Sequence, residues 1–477
     1  MKWLGYKLIN IEGREITMTE KILGKKDLVL FTVSAILLLD TLASAASVGV
    51  SSIFWWLFLG VVFFIPFALI SAEMSCSYPE QGGIYAWVKT AYGSRWAARA
   101  SWGYWINTAV WIPAIAILFA GIFKQMFIPD LSLFGQIAIG ITLTWITVAV
   151  NIISLDIGRF IPDTGAVLKI LIFLALIVGA FNYVGEHGMA NEFTLAALKP
   201  DWQASFQYIP AIIYGMLGFE LVSASSDEMK DPARDMPKAV LISAAIIIVL
   251  YLFGTIAMLA AIPAQDINLV EGLMDTLYLL FGQTPAGQTF AMVLGIAALF
   301  TFFSNGVTWA LGCNRAAAEA AKMGELPAIF AKESKSNGTP LGASLMMGVV
   351  STATIVLYGF LAGSNEDLFW SLFAFSAVIF MLPYIAMMLA FIKSRVEQPE
   401  HYRPYKIPGG LLVARLFAYS CITVLSMAIV LFIYSPEEGM QWPVLVGVIV
   451  TLIIGEFAIR IAEKGKSEPT MSFSAIK

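Results

Sequence analysis

The chain has 477 residues, 59% of them hydrophobic and 13% charged, with a mean hydropathy of +0.79 and a formal net charge of −4. Soluble domains carry roughly 25% charge, so water is excluded as the main solvent, and apolar runs of about 20 residues recur so evenly that no soluble domain is left over. The small net charge, with no basic stretch interleaved with aromatics, argues against a nucleic-acid partner.

The first 27 residues are polar, carry Lys2, Lys7, Arg14, Lys21, Lys25 and Lys26, and lack an apolar core before a small-residue cleavage site. They read as a cytoplasmic tail rather than a signal peptide. Apolar windows then predict an all-α integral membrane protein of about twelve transmembrane helices. The first six lie near 28–48, 53–76, 96–126, 132–154, 163–186 and 206–228. Six more follow near 236–262, 287–320, 342–363, 367–393, 411–435 and 441–463. Of the 29 lysines and arginines, all but three fall on one side; Lys124 and Lys199 fall on the other and Lys169 lies inside a span. The positive-inside rule therefore places both termini in the cytoplasm, which an even helix count requires. The opposite loops carry Asp266, Glu271, Asp275, Glu366, Asp367, Glu437 and Glu438.

Charges inside spans are expensive and mark function by default. Three stand out: Asp40 in the first span, Lys169 in the fifth and Glu220 in the sixth. Asp40 and Glu220 sit near mid-span, five helices apart, as corresponding positions of an inverted five-helix repeat would. Small residues surround both: Ala43 to Ser47 with Gly49, and Gly215 with Gly218. Cys76, Cys313 and Cys421 show no CxxC spacing, and His187 and His401 fall between apolar segments, so neither a metal site nor a catalytic pair is indicated and no cofactor is expected. A P-loop sequence is missing, which argues against a primary pump.

Two motif regions carry a family resemblance. The second span ends in Pro79-Glu80-Gln81-Gly82-Gly83-Ile84-Tyr85, and the sixth runs through Gly218-Phe219-Glu220 to Asp227-Glu228-Met229-Lys230-Asp231-Pro232 and Pro237. With Gly312, Asn314-Arg315, Gly324-Glu325-Leu326-Pro327 and Gly338-Thr339-Pro340, these strings make the chain resemble the amino acid-polyamine-organocation (APC) transporters over roughly residues 28 to 465. Within that family it resembles the arginine/agmatine and glutamate/GABA antiporter branches.

The resemblance implies the LeuT-type fold: ten core helices in two inverted five-helix repeats, with the first and sixth helices broken mid-membrane, plus two peripheral helices. The expected division is a tail at 1–27, a core at 28–393 with repeats at about 28–186 and 206–393, a loop with helices 11 and 12 at 394–463, and a tail at 464–477. Unwound backbone in a cavity frees N–H and C=O groups for a ligand. The resemblance places substrate against Asp40, Thr41, Ala43, Ser44 and Ala45 of the first helix, Asn107 of the third, Tyr214, Gly218, Phe219 and Glu220 of the sixth, and Trp309 of the eighth. Tyr214 and Trp309 fall on aromatic gates, suited to a cationic amine.

Where most of the family has a glycine-rich break, this chain reads Leu39-Asp40-Thr41-Leu42-Ala43-Ser44-Ala45-Ala46. Asp40 either pairs with a ligand ammonium or caps the broken helix. Lys169 resembles the lysine that sodium-independent members place where relatives bind sodium, and reads as a proton-coupling group or a structural cation. The expected function is secondary transport of small amino acids or related amines by alternating access, as an exchanger or proton symporter, in the inner membrane. A polyamine or monoamine transporter is the alternative, with a channel or a non-transporting sensor behind it. Expected partners are the amino acid or amine, protons and membrane lipid, for a monomer or homodimer.

Overall fold

The computed structural model describes residues 7–9, 15–17, 24–79, 82–153, 155–200, 202–221, 223, 231–436 and 439–467. Most of the 1–27 tail, Glu80 and Gln81 of the glycine-pair motif, Asp227 to Lys230 of the sixth-span motif, Glu437, Glu438 and the tail beyond 467 lie outside the described residues.

Helices dominate because long apolar segments can satisfy their backbone polar groups in hydrocarbon only through helical hydrogen bonds. The first span comes in two pieces, α1 (Lys25–Ile36) and α2 (Asp40–Ser47), bent by 52°. The second runs unbroken over Ser52–Ser77 as α3 (Ser52–Leu59), a π turn (Gly60–Phe64) and α4 (Ile65–Ser77). A short helix α5 (Ile84–Tyr92) then leads into α6 (Ser94–Phe127), α7 (Leu133–Ile153) and α8 (Leu155–His187). Next comes α9 (Trp202–Tyr214), which stops at a non-helical stretch through Glu220, and then α10 (Pro232–Ala261) and the short α11 (Gly272–Phe281). The rest of the bundle is α12 (Pro285–Lys322), α13 (Leu341–Gly359), α14 (Asn365–Glu397), α15 (Gly410–Ile433) and α16 (Trp442–Ser467). Lys7–Ile9 and Glu15–Thr17 pair as a small antiparallel ribbon within the segment expected as tail.

Among the described residues, ten helices are long and apolar enough to cross a membrane, and the bent α1/α2 pair makes eleven. The sixth expected span begins as α9, and its continuation beyond residue 223 lies outside the described residues. The short helices α5 and α11 were not expected, because their nine and ten residues fall below the length of a spanning window.

The first-helix break falls at Leu37–Leu39, ahead of Asp40, and the alanine-rich stretch that replaces the family's glycines is helical. Alanine is the best helix former, so the interruption moves to the residues before it. The glycine pair does turn tightly: Gly82 and Gly83 have φ of 107° and 51°. A Cβ on Gly83 would come within 2.8 Å of Ser223 Oγ and 3.4 Å of Glu220 O. Only glycine lets this loop pack against the chain just past the sixth-helix break.

Beneath α4 and α14, Glu73 is 1% exposed and is gripped by Arg395 at 2.6 Å, Arg403 at 3.3 Å and the Ile407 amide at 2.8 Å. Removing one member of such a buried cluster strands the others at a cost of about 3–5 kcal/mol, whereas half-exposed pairs contribute about 1 kcal/mol or less. Glu73→Ala should therefore lower the thermal midpoint of the purified protein far more than Glu397→Ala, since Glu397 is 62% exposed and pairs with Lys393 at 3.8 Å. Equal shifts in the two variants would show that the Glu73 cluster does not hold the bundle.

Candidate functional site

The site forms where the two interruptions meet. Ending α1 in mid-bundle leaves its last carbonyls without helical partners, and three consecutive ones are taken up by side chains from three other helices. Lys169 of α8 donates to Ser34 O at 2.5 Å, Trp309 of α12 donates its indole N–H to Ala35 O at 3.1 Å, and Tyr251 of α10 donates to Ile36 O at 2.6 Å. The Tyr251 hydroxyl also accepts from the Leu38 amide at 2.7 Å, so one oxygen bridges the gap in the helix. Lys169 donates a further bond to Asn305 Oδ1 on α12. Its ammonium thus lies at the negative end of the α1 dipole, where a cation is favoured.

Across the break, a Cβ on Gly215 would collide with Thr41, and a Cβ on Gly218 would come within 3.1 Å of both Ile36 and Trp309. Gly218 has φ of 123°, so glycine is needed there for backbone angle and for space. These two glycines let the unwound part of the sixth helix lie directly on the first.

Glu220 follows in a tight turn, 1% exposed. The hydroxyls of Tyr104 on α6 and Tyr384 on α14 both donate to its Oε1, at 2.8 and 2.6 Å, while Oε2 has no partner. At the other break, Asp40 is 2% exposed; its Oδ1 accepts from the Thr41 amide at 3.0 Å and its Oδ2 has no partner. Asp40 lies within electrostatic reach of Lys169, with the Trp111 indole beside it. Thr41 Oγ1, Asn107 Oδ1 and Trp111 Nε1 are also buried without a hydrogen-bond partner. Leaving a buried polar group unsatisfied costs about 1–3 kcal/mol, so these five atoms make the two helix breaks the candidate binding region.

Aromatic rings line the same region. Trp309 stands 5.2 Å from Phe380, 6.0 Å from Trp111 and 6.3 Å from Tyr104, and Tyr214 is 5.6 Å from Phe380 and 4.9 Å from Phe373. Tyr214 and Trp309 are each 4% exposed. Elsewhere in the bundle Lys89 meets Glu325 at 2.8 Å, and the Glu73 cluster ties α4 to α14. Glu366 accepts from the Leu269 amide and the Asn268 side chain, and Gln125 reaches Asp275 at 2.6 Å.

A family model described as amino acid permease matches residues 23–454. The chain belongs to that family. Three relatives are similar over most of the permease. A probable agmatine/putrescine antiporter of Lactococcus lactis is 33% identical over 440 residues, covering 91% of this chain and 93% of the relative. A probable polyamine transporter of Arabidopsis thaliana is 26% identical, over 79% of this chain and 75% of its own. A glutamate/gamma-aminobutyrate antiporter of L. lactis is 23% identical, over 79% and 77%. The permease is thus a multi-pass membrane protein and a secondary transporter of amino acids or amines, not an enzyme.

Of the residues singled out in the sequence, Asp40, Thr41, Asn107, Tyr214, Gly218, Glu220 and Trp309 gather around the two breaks. Phe219 does not; its ring packs on Phe64 and Phe67 of the second span, at 5.0 and 5.7 Å. Ala43 lies toward Gly272 of α11, Ser44 makes only a long bond to Asp40 O at 3.5 Å, and Ala45 is buried among core residues. Three participants were missed: Tyr104, Trp111 and Tyr384. Tyr104 and Trp111 stand three before and four after Asn107, which puts all three on one face of α6 and could have revealed them. Tyr384 had no such signal.

Gly218→Ala gives a direct test of the break. The added methyl meets Ile36 and Trp309 at an unfavourable φ, a strain of about 1–3 kcal/mol. Exchange activity should fall at least tenfold with membrane insertion retained, whereas Gly185→Ala, where nothing lies within 4 Å, should transport like wild type. Full activity in Gly218→Ala would remove that glycine from the transport site.

Proposed function

We propose that the permease exchanges diamines, of the agmatine or putrescine type, by alternating access, with Asp40 and Glu220 each receiving one cationic end. The observation that carries this reading is the pair of unpartnered carboxylate oxygens, Asp40 Oδ2 and Glu220 Oε2, one at each helix break. The rings of Tyr104, Tyr214, Trp309 and Phe380 that stand among them would cover the ligand's alkyl chain and add about 0.5–2 kcal/mol per cation held over a face. A zwitterionic amino acid would bring its carboxylate toward one of the two acids. Like charges at about 4 Å repel by roughly 4 kcal/mol at an effective dielectric near 20, a large penalty for a small ligand. The name of the 33% identical relative, an agmatine/putrescine antiporter, agrees with this choice.

Lys169 serves in this reading as the structural cation, because its ammonium is spent on Ser34 O and Asn305 Oδ1, tying the first helix to the eighth. Its charge is offset in part by the carbonyl end of α1, about half an elementary charge, which leaves the two acids for the substrate. Exchange follows from the same electrostatics. Burying two carboxylates, of which only Asp40 has a cation within electrostatic reach, is costly, so the loaded carrier reorients more readily than the empty one. The inverted repeats within 28–393, the cytoplasmic termini and the inner-membrane location complete the proposal.

Counterflow in proteoliposomes decides it. Labelled putrescine should leave the vesicles only when agmatine or putrescine is outside, and Asp40→Asn and Glu220→Gln should each weaken diamine exchange at least tenfold while affecting a monoamine less. Arginine or GABA outcompeting every diamine would overturn the reading. Lys169 supplies a separate check: Lys169→Met should lower the thermal midpoint and the exchange rate together, and diamine exchange by wild type should move no protons. Uptake driven by a pH gradient alone, lost in Lys169→Met, would assign that lysine to proton coupling instead.

A further inference from the structure

Away from the transport site, α6, α14 and α16 leave between them a cavity of about 350 Å³ that opens on the outside of the bundle. Its walls are apolar and mostly small near the helix contacts: Ala100 and Gly103 on α6, Pro383 and Ala386 on α14, Leu452 and Ile459 on α16. Leu452 is 44% exposed, so the groove faces the surrounding membrane. Two close approaches shape it. A Cβ on Gly103 would lie 3.1 Å from the Pro383 ring, and α16 comes against Trp102 at Gly455. The groove is therefore a fixed gap between packed helices.

One end of the groove is charged. Arg95 and Arg99 at the start of α6 both bind Glu456, with Arg99 Nε at 3.0 Å, and Arg460 reaches the same carboxylate at 3.7 Å. Glu463 adds a contact to Arg95 at 3.9 Å. Three guanidinium groups thus share two carboxylates, leaving surplus positive charge beside the groove. Arg460 is 62% exposed, Arg95 is 47% exposed, and both retain donors beyond these contacts. Trp96, 52% exposed with Arg99 stacked over it at 4.8 Å, stands at the same level, as tryptophans do at a membrane–water boundary.

We propose that this groove is a binding site for an anionic phospholipid, whose acyl chain lies along Gly103, Pro383 and Leu452 while its phosphate meets Arg95 and Arg460. Guanidinium binds phosphate through paired N–H donors, and a surplus positive charge at the interface selects an anionic over a zwitterionic headgroup. This site is independent of the substrate reading, since none of its residues touches either helix break.

Native mass spectrometry of the purified full chain, offered equal phosphatidylglycerol and phosphatidylcholine, tests it. Wild type should retain phosphatidylglycerol with at least fivefold preference. Arg460→Gln should lose the preference, and Ala386→Phe, which fills the groove from its membrane side, should lose retention of both lipids. Val178→Phe, on the exposed face of α8, should behave as wild type. Equal retention of the two lipids by wild type, or unchanged retention in Ala386→Phe, would overturn the proposal. So would a wild-type dimer that Ala386→Phe converts to monomer, because the groove would then be an interface between two copies.

Discussion

Three carbonyl oxygens at the end of α1 govern this molecule. A helix that stops inside hydrocarbon leaves acceptors that water cannot reach, and each must find a donor from protein or ligand. Ser34 O, Ala35 O and Ile36 O find theirs in Lys169, Trp309 and Tyr251, on α8, α12 and α10. The break is thereby a joint that holds four helices at once. It also sets the position of Trp309, since the bond to Ala35 O fixes the ring against Gly218 and among the aromatics of α6 and α14.

The second interruption is supported differently. The sixth-helix break uses glycine in place of bonded side chains: Gly215 and Gly218 give close contact with Thr41, Ile36 and Trp309, and Gly83 lets the loop after the second span press on the turn beyond Glu220. Two tyrosines from the packed helices α6 and α14 then hold one oxygen of Glu220 and leave the other unpaired. Each break therefore presents one carboxylate that is half satisfied by protein.

Ion pairs elsewhere follow burial. The Glu73 cluster is enclosed and brings α4, α14 and the following loop together, while Lys393 and Glu397 meet at an exposed surface of α14. A pair open to water exchanges its partner for solvent at little cost, and an enclosed one does not.

Composition and apolar periodicity by themselves determined the membrane class and, among the described residues, the positions of most spans within a few residues, because a hydrocarbon solvent constrains every spanning residue and leaves a continuous record in the sequence. Charges inside spans picked out Asp40, Lys169 and Glu220, and the motif strings added the family, and with it the two broken helices, Gly218 and Trp309. Tertiary structure decided the rest. The first break moved ahead of Asp40 because Tyr251, 213 residues from Leu38, supplies the bridging hydroxyl, and no local pattern reports a donor that distant. Phe219 turned out of the site because Phe64 and Phe67 offered it a packed surface. Tyr384 entered because α14 crosses the break at the height of Glu220. Such choices depend on which side chains meet across helices, and a one-dimensional pattern of hydrophobicity carries no information about that distance or direction.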